Sequence, residues 1–480
     1  VYYYKNKLAI GKNNGKNLLC YIKEDIELFK KLTTNNIIVM GSSTYFSLKK
    51  KPLVDRLHII LTKNKILLKT NSLESVKDKM KFANNGVVFL SPENLINIRN
   101  FTKREIFVIG GSQIFNLFLC DYNFFINKIY FSEIKDYDVE RNGEPDRFIN
   151  LDDFTSNFKL ISVTEKERFR FLIYKNTHTQ SQEDLYLNLM RNILDNGNDR
   201  GDRTGTGTRS IFSEKMTFDI SSSIPMITTK RVSFKIIIEE LLWFLRGDTN
   251  SKLLEDKKIN IWKGNSSKEF IKNKGLDYKE GVIGAGYGWQ WRFFGAEYDE
   301  KYSDTSKILP EDRKLIGGFD QIEYVINELK TNPYSRRIFL SAWNPLQMKE
   351  MVLPPCHISI QFYVEEVKGV KYLSSQFYMR SNDVFLANCI NVVSYTVLTY
   401  ILALKCDMVP KNITYVCGDC HIYKNHIEQV KTQLARKSRP LPRLVLDKSI
   451  KDKPFEEITF ADFNLIGYFP DTIIRAPMAI

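Results

Sequence analysis

Leu353-Pro354-Pro355-Cys356-His357 runs directly into the alternating stretch Ile358-Ser359-Ile360-Gln361-Phe362-Tyr363-Val364. Two prolines fix the backbone ahead of the thiol and remove two N–H donors. Cys356 therefore cannot occupy the middle of a helix or of a central strand. The alternation after it predicts a strand with one buried face. Further on comes Tyr378-Met379-Arg380-Ser381-Asn382-Asp383. A guanidinium folding back from there onto the thiol is expected to hold it as thiolate, the form that attacks carbon.

Outward from this stretch, further strands are expected at 338–342 and 372–378. Helices are expected at 185–194, 234–245, 319–331 and 392–404, giving an α+β region. Residues 299–315 are charged and read as a surface insertion. The first third differs. Short apolar runs at 37–40, 57–61, 87–90, 106–109 and 129–132 alternate with helical stretches such as 25–32 and 72–82. That order predicts an α/β domain, its sheet largely parallel and flanked by helices, with 165–175 as a final antiparallel edge pair. The polar stretch 176–184 separates the two regions. The expected division is 1–177, a short junction at 178–184, and 185–480.

A chain of 480 residues exceeds one ordinary core, so two or three domains are expected. Its 43% hydrophobic and 26% charged residues match a globular protein. No apolar run approaches the ~20 residues that span a bilayer; the longest, 236–245, carries Glu239 and Glu240. No membrane association is expected. Seven cysteines at irregular spacing make no disulfide framework and point to a reducing, cytoplasmic setting. The chain opens on Val1 rather than an initiator Met, so preceding residues are expected, and organelle and nucleus stay open as locations.

The net charge of +14 falls mostly in residues 1–180, with 29 Lys+Arg against 19 Asp+Glu. It is scattered lysine without an RNA-binding aromatic signature, so nucleic-acid binding is not expected; attraction of anionic substrates is a better reading. Cys417-Gly418-Asp419-Cys420-His421 fits the C-x-x-C-H of haem attachment, but no second Cys pair completes a zinc site, and no metal is expected.

Arginines cluster near small residues in Asp202-Arg203-Thr204-Gly205-Thr206-Gly207-Thr208, in Ser335-Arg336-Arg337 and in Arg380-Ser381. Each alone reads as a solvated surface arginine. Beside Pro-Pro-Cys-His they read as a phosphate cage around a nucleophile. These segments, with Glu240 to Leu245, Ile261-Trp262, Tyr287 to Arg292, Asn391 to Tyr395, Gly418 to Tyr423 and Arg475 to Ile480, make residues 182–480 resemble thymidylate synthase along almost their whole length. The resemblance implies a thymidylate synthase fold and a set of roles. Cys356 would add to C6 of dUMP, making C5 a nucleophile toward the one-carbon unit of 5,10-methylenetetrahydrofolate, a co-substrate. Arg203, Arg380 and Ser381 would hold the phosphate, joined by Arg336 and Arg337 of a partner subunit in a homodimer. Asn391 would read the uracil edge, and His421 with Tyr423 the ribose hydroxyl. Glu240 would manage protons through water, with Tyr287 and His357 lining the site. Asp383, Trp262 and Ile480 would contact the folate. Related dCMP hydroxymethylases carry Asp where Asn391 stands, so the amide favours dUMP. The usual Gly-x-Pro-Phe-Asn is here Ala387-Asn388-Cys389-Ile390-Asn391, which removes an aromatic wall beside the amide. Phe293 or Phe294 stands where His is commoner, and Lys263 replaces a usual Asp.

In the first third, Ile10-Gly11, Asp25 with Phe29, Val39-Met40-Gly41 with Thr44, Arg56, Thr62-Lys63 and Gly110-Gly111-Ser112-Gln113 occur in an order that resembles dihydrofolate reductase. A Gly-Gly turn between strand and helix lets backbone amides approach a pyrophosphate. The resemblance implies a reductase-like mixed sheet flanked by helices; Asp25 would hydrogen-bond the pterin and help protonate N5, Phe29 would stack on it and Arg56 would pair with the folate α-carboxylate. Ile10, Gly11, Thr44, Thr62, Lys63, Gly110, Gly111, Ser112 and Gln113 would hold NADPH. Departures include Leu19-Cys20 for Pro-Trp, Ser42-Ser43 for a basic pair, and Tyr2 and Tyr3 where small residues are usual; a phenol there would fill the nicotinamide or pterin site. The expected function is a bifunctional enzyme making dTMP and regenerating tetrahydrofolate. The alternative keeps the synthase and makes residues 1–175 a non-catalytic brace or interaction module.

Overall fold

The structure is a computed structural model describing residues 1–5, 7–12, 18–68, 86–91, 104–120, 126–149, 158–202, 204–308 and 310–477. The chain divides into two compact units, Val1–Gln180 and Ser181–Ile480.

In the first unit, β1 (Tyr2–Tyr4), β2 (Lys7–Gly11), α1 (Lys23–Thr33), β3 (Ile37–Gly41), α2 (Ser42–Ser47), β4 (Leu57–Leu61), β5 (Gly86–Leu90), β6 (Ile106–Gly110) and α3 (Ser112–Cys120) lead into β7 (Lys128–Ile134), β8 (Arg147–Ile149), β9 (Phe158–Glu165) and β10 (Phe169–Asn176). The apolar runs Ile-Ile-Val-Met and Leu-His-Ile-Ile-Leu are buried on both faces, as strands covered by helices must be. They form an all-parallel sheet in the order β5-β4-β3-β6. Two antiparallel sheets accompany it, β1-β2-β8 and β7-β10-β9, giving the unit the mixed strand arrangement that its resemblance implies. The expected edge pair is a hairpin whose second strand, β10, lies in the middle of its sheet. The helix expected at 72–82 lies outside the described residues.

The second unit begins within α4 (Thr177–Asn196), so the segment expected as a junction is helical. It continues through β11 (Asn198–Arg200), β12 (Thr208–Asp219), α5 (Phe234–Arg246), α6 (Tyr287–Arg292), α7 (Gln321–Thr331), β13 (Phe339–Ser341), β14 (His357–Val367), β15 (Val370–Asp383), α8 (Asn388–Lys405) and β16 (Val409–Tyr423). The main sheet has the order β11-β12-β16-β15-β14-β13, parallel only between β15 and β16. α5 starts at Ser233, whose side chain accepts from Ile236 N–H, and stops at Gly247, which adopts the left-handed conformation at φ +85°. Its buried face carries Leu241, Leu242, Trp243 and Leu245. Truncating one such large side chain to alanine costs about 3–5 kcal/mol. α8 is long and apolar enough to pass for a membrane span, yet 78% of it is buried within the unit. It is the core helix behind the sheet.

The charged stretch 299–315 is not a simple surface insertion. Ser303, Asp304 and Thr305 are buried, and Asp248 accepts from both the Thr305 N–H and its hydroxyl. Asp304 is buried with it and pairs with Lys307 at 2.8 Å, so part of the charge docks along with the backbone.

Candidate active site

Cys356 stands at the entrance of β14, and antiparallel pairing brings Arg380 of β15 beside it. The Arg380 backbone N–H donates to Cys356 O at 2.9 Å. Its side chain donates from Nε to Pro355 O at 2.8 Å and from Nη2 to Pro354 O at 3.0 Å, and Nη2 lies 3.7 Å from Cys356 Sγ. The guanidinium thus braces the proline turn through its carbonyls and faces the thiol. The expected thiolate does not follow from this contact alone. Burial pushes the thiol above its ordinary pKa and outweighs the opposing pull of Arg380.

The floor is aromatic. The Tyr287 hydroxyl accepts the Cys356 N–H at 2.8 Å, and its ring stacks on His357 with centroids 4.2 Å apart. His357 Nδ1 lies 2.7 Å from the Tyr395 hydroxyl, and burial lowers its pKa to about 3, so the imidazole is neutral. Glu240, projecting from α5, is raised to about 7 by burial, against the Trp262 Nε1–H that donates to its Oε1 at 2.8 Å. Trp262 packs on Tyr287 at 5.9 Å. Glu240, Trp262, Tyr287, His357 and Cys356 are therefore one contiguous cluster.

Asn391 occupies the first turn of α8, and its Oδ1 accepts from Asn382 Nδ2 at 3.1 Å. Asp383 accepts from the N–H groups of Phe385 and Leu386 at 3.0 and 3.1 Å, shaping the turn that leads into α8. Parallel register sets Ser381 beside Asp419 and Asp383 beside His421. His421 Nδ1 lies 3.1 Å from Asp419 Oδ1, and its ring meets Tyr423 edge-on. The sequence reading missed four supporting residues: Tyr395, Asn382, Asp419 and Trp343, over whose ring Arg380 sits at 6.0 Å. Tyr395 and Asn382 act across a helix–sheet contact and Trp343 from a loop, none with a local sequence signal, whereas Asp419 meets His421 two residues on in the same strand.

Arg336 and Arg337 are exposed and are not brought to this cluster. Phe339 pairs with Gln361, so the two arginines lie beyond that point on β14. At ~3.4 Å per residue they stand roughly 24–27 Å from Cys356 along the strand. Arg203 and Ile480 lie outside the described residues. The loop following Arg203 is pinned by Asp202, which accepts from the N–H of Thr204 at 2.8 Å and of Gly207 at 2.6 Å.

In the first unit, Thr44, Thr62, Lys63, Gly110, Gly111, Ser112 and Gln113 follow the carboxyl ends of β3, β4 and β6. Parallel order brings these ends to one edge, the usual ligand edge of such sheets. Gly110 has φ +130°, and a Cβ on Gly111 would stand 3.0 Å from Thr44 Oγ1. The backbone at Gly110 favours glycine, and a side chain at Gly111 would crowd Thr44. Ile10 and Gly11 end β2, where Gly11 pairs with Arg147. Asp25 lies in the first turn of α1 and accepts from Ser132 Oγ at 2.5 Å. Arg56 is buried against the end of α1, donating to Thr33 Oγ1 at 2.8 Å and to Val54 O at 3.0 Å, 5.9 Å from the Phe29 ring. Tyr2 packs on Tyr137 at 5.1 Å, while Tyr3 is 45% exposed. Ser132 was not foreseen.

Comparison with known proteins agrees with both halves. The thymidylate synthase family model matches residues 184–480, and the dihydrofolate reductase model matches residues 1–175. A bifunctional dihydrofolate reductase-thymidylate synthase of Paramecium tetraurelia is 38% identical over 475 residues, covering 96% of this chain and 94% of that protein. Proteins of the same name from Zea mays (35% identical; 95% of this chain, 92% of that protein) and Arabidopsis thaliana (number 2; 36%, 99% and 87%) match as broadly. With both domains matched in order and relatives aligned almost end to end, the chain belongs to the bifunctional dihydrofolate reductase–thymidylate synthase family.

Proposed function

We propose that the chain converts dUMP to dTMP at Cys356 with 5,10-methylenetetrahydrofolate, and reduces the resulting dihydrofolate with NADPH at Asp25. The observation that carries the synthase reading is the Cys356–Arg380–Tyr287–Glu240 cluster, which unites a nucleophile, a cation and a carboxyl of near-neutral pKa. Thiolate addition to C6 needs the Cys356 proton removed, and the bound anion's contacts with Arg380 leave the guanidinium beside sulfur. Addition places negative charge on the C4 oxygen, where Asn391 donates. Glu240, half ionised near neutrality, takes and returns protons through water. Ser381, His421 and Tyr423 seat the phosphate and ribose; Asp383 and Trp262 face the folate, with Ile480 closing on it.

The phosphate cage is completed in a homodimer. Arg336 and Arg337 are too far along β14 to serve their own Cys356, which supports their donation to the partner subunit together with the local Arg203.

The glycine turn Gly110-Gly111 against Thr44 fits a pyrophosphate, since a side chain there would fill the approach. Thr44, Thr62, Lys63, Ser112, Gln113, Ile10 and Gly11 would hold NADPH, which supplies a hydride when bound. Asp25 hydrogen-bonds the pterin and helps to protonate it, Phe29 covers the ring, and Arg56 orients the glutamate tail. A non-catalytic first unit is not favoured: relatives aligned over nearly their full length are named for both activities. Purified protein assayed separately for dTMP formation and NADPH-dependent dihydrofolate reduction tests both halves. Absence of the second, with the first intact, refutes the reductase reading alone.

A further inference from the structure

Ile390 stands where the family's aromatic would wall the Asn391 amide, and the structure offers a polar support instead. Asn382, 3% exposed on β15, donates from Nδ2 to Asn391 Oδ1 at 3.1 Å. Its own carbonyl accepts from the Tyr415 hydroxyl on β16 at 3.3 Å. Tyr415 is fully buried, and its oxygen also lies 3.6 Å from Cys420 Sγ. In this arrangement the Tyr415 O–H donates to Asn382 Oδ1 and the Asn382 N–H to Asn391 Oδ1.

A carboxamide has a donor end and an acceptor end of nearly the same shape, so its neighbours decide which way it points. That choice matters for a pyrimidine. Uracil shows a donor at N3 and an acceptor at O4; cytosine shows an acceptor at N3 and a donor at N4. An Asn391 amide in one orientation matches uracil at both atoms, and turned over it matches cytosine at both. We propose that Asn382, held by Tyr415, is the specificity-determining positioning residue that locks the Asn391 amide in its uracil-reading orientation. Turning Asn391 over would set its NH2 against the Asn382 NH2 in a buried place, leaving donors facing donors. The remaining lone pair of Asn391 Oδ1 stays available for N3–H, and its NH2 for O4. The inference rests on the proposal that Asn391 faces the base.

The test uses the full chain as wild type, Asn382→Asp, Asn382→Ala and Tyr415→Phe. Synthase kcat/KM is measured for dUMP and for dCMP, with the methylated products separated by chromatography. Asp at 382 offers only acceptors, so it draws the Asn391 NH2 inward and turns the amide over. Asn382→Asp is expected to lower kcat/KM for dUMP about 100-fold, about tenfold for each of the two reversed hydrogen bonds, and the dUMP-to-dCMP ratio by at least as much. Asn382→Ala and Tyr415→Phe should move the ratio the same way by less. A purely structural role would depress both substrates alike and leave the ratio where it was; that result overturns the proposal. If Asn382→Asp does not fold, Tyr415→Phe, which keeps the ring volume, decides by the same ratio. A wild type without dUMP turnover would instead refute the synthase reading on which the inference stands.

Discussion

Replacing Trp262 by Phe removes the one side-chain donor to Glu240, among the described residues, that opposes the effect of burial on its carboxyl. The indole N–H stands 2.8 Å from Glu240 Oε1, and burial has already raised the group from 4.5 to about 7. A hydrogen bond to a charged acceptor contributes about 1.5–3 kcal/mol. One pKa unit corresponds to about 1.4 kcal/mol. Taking the low end for a site open to water on one side, Trp262→Phe raises the carboxyl by about one unit, since the lost bond favoured the ionised form. If ionised Glu240 is the proton acceptor, the rising limb of kcat/KM for dUMP against pH moves from near 7 to near 8. The stability consequence has a definite sign. A raised carboxyl contributes its full stability below its unfolded value of 4.5 and loses it as the pH climbs to about 7; the variant extends that loss upward. The profile is measured between pH 5.5 and about 9.5 at saturating folate, so that weaker folate binding alters height rather than position. A limb that stays near 7, or moves down, would show that Glu240 is not the titrating group.

Cys356→Ala should abolish dTMP formation while dUMP still binds and dihydrofolate reduction continues; loss of both activities would contradict the assignment of the two reactions to separate units. Arg380→Met removes the charge opposing burial at the thiol, so Cys356 should become harder to ionise. Alkylation by iodoacetamide, followed against pH, should show its midpoint displaced upward, and an unchanged midpoint would deny the guanidinium that influence. Gly111→Ala places a methyl 3.0 Å from Thr44 Oγ1 and should raise the NADPH KM severalfold with synthase turnover intact. Mixing Cys356→Ala with an Arg336→Ala/Arg337→Ala double variant should regenerate synthase activity in mixed dimers; no recovery after subunit exchange would refute shared arginines.

The parallel strands β3, β4, β5 and β6 were legible to within a residue at either end, because each is a short, mainly apolar run; β3 and β4 are buried on both faces and β5 and β6 partly so. The long strands β12 and β16 were not. β16 contains Pro410, Gly418 and Asp419, and its 15 residues show no simple alternation. What makes it a strand is pairing on both sides, antiparallel to β12 and parallel to β15, which is information held by other segments. The same division runs through the site. Cys356, Arg380 and Asp25 stand in sequence contexts with local meaning: a proline pair, a basic cluster, a helix start. Asn382, Tyr395 and Ser132 act only through partners far away along the chain, at separations of 9, 38 and 107 residues.

The charge balance at Cys356 is where the sequence reading and the structure part most instructively. A nearby cation alone argues for thiolate, but each ionisable neighbour is pushed by burial toward its uncharged form: Glu240 upward to about 7, His357 downward to about 3, and the Tyr287 and Tyr395 hydroxyls upward. Arg380 makes no ion pair with a carboxylate among the described residues; its partners are carbonyl oxygens and the thiol. A permanent cation set among neutral groups favours an anion, and one proton leaving Cys356 is a smaller gain than a phosphate with its full charge. Substrate phosphate competes for the same guanidinium that would stabilise the thiolate. Arg380 can serve both because its fork presents several N–H groups at fixed angles, two of which already hold the proline turn and keep the plane oriented. Arg380→Lys therefore tests the argument from another side. A lysine keeps the charge but cannot brace the Pro354 and Pro355 carbonyls while facing both sulfur and phosphate. Charge alone would preserve kcat with a modest rise in KM; if the fork matters, kcat falls at least tenfold although the net charge is unchanged.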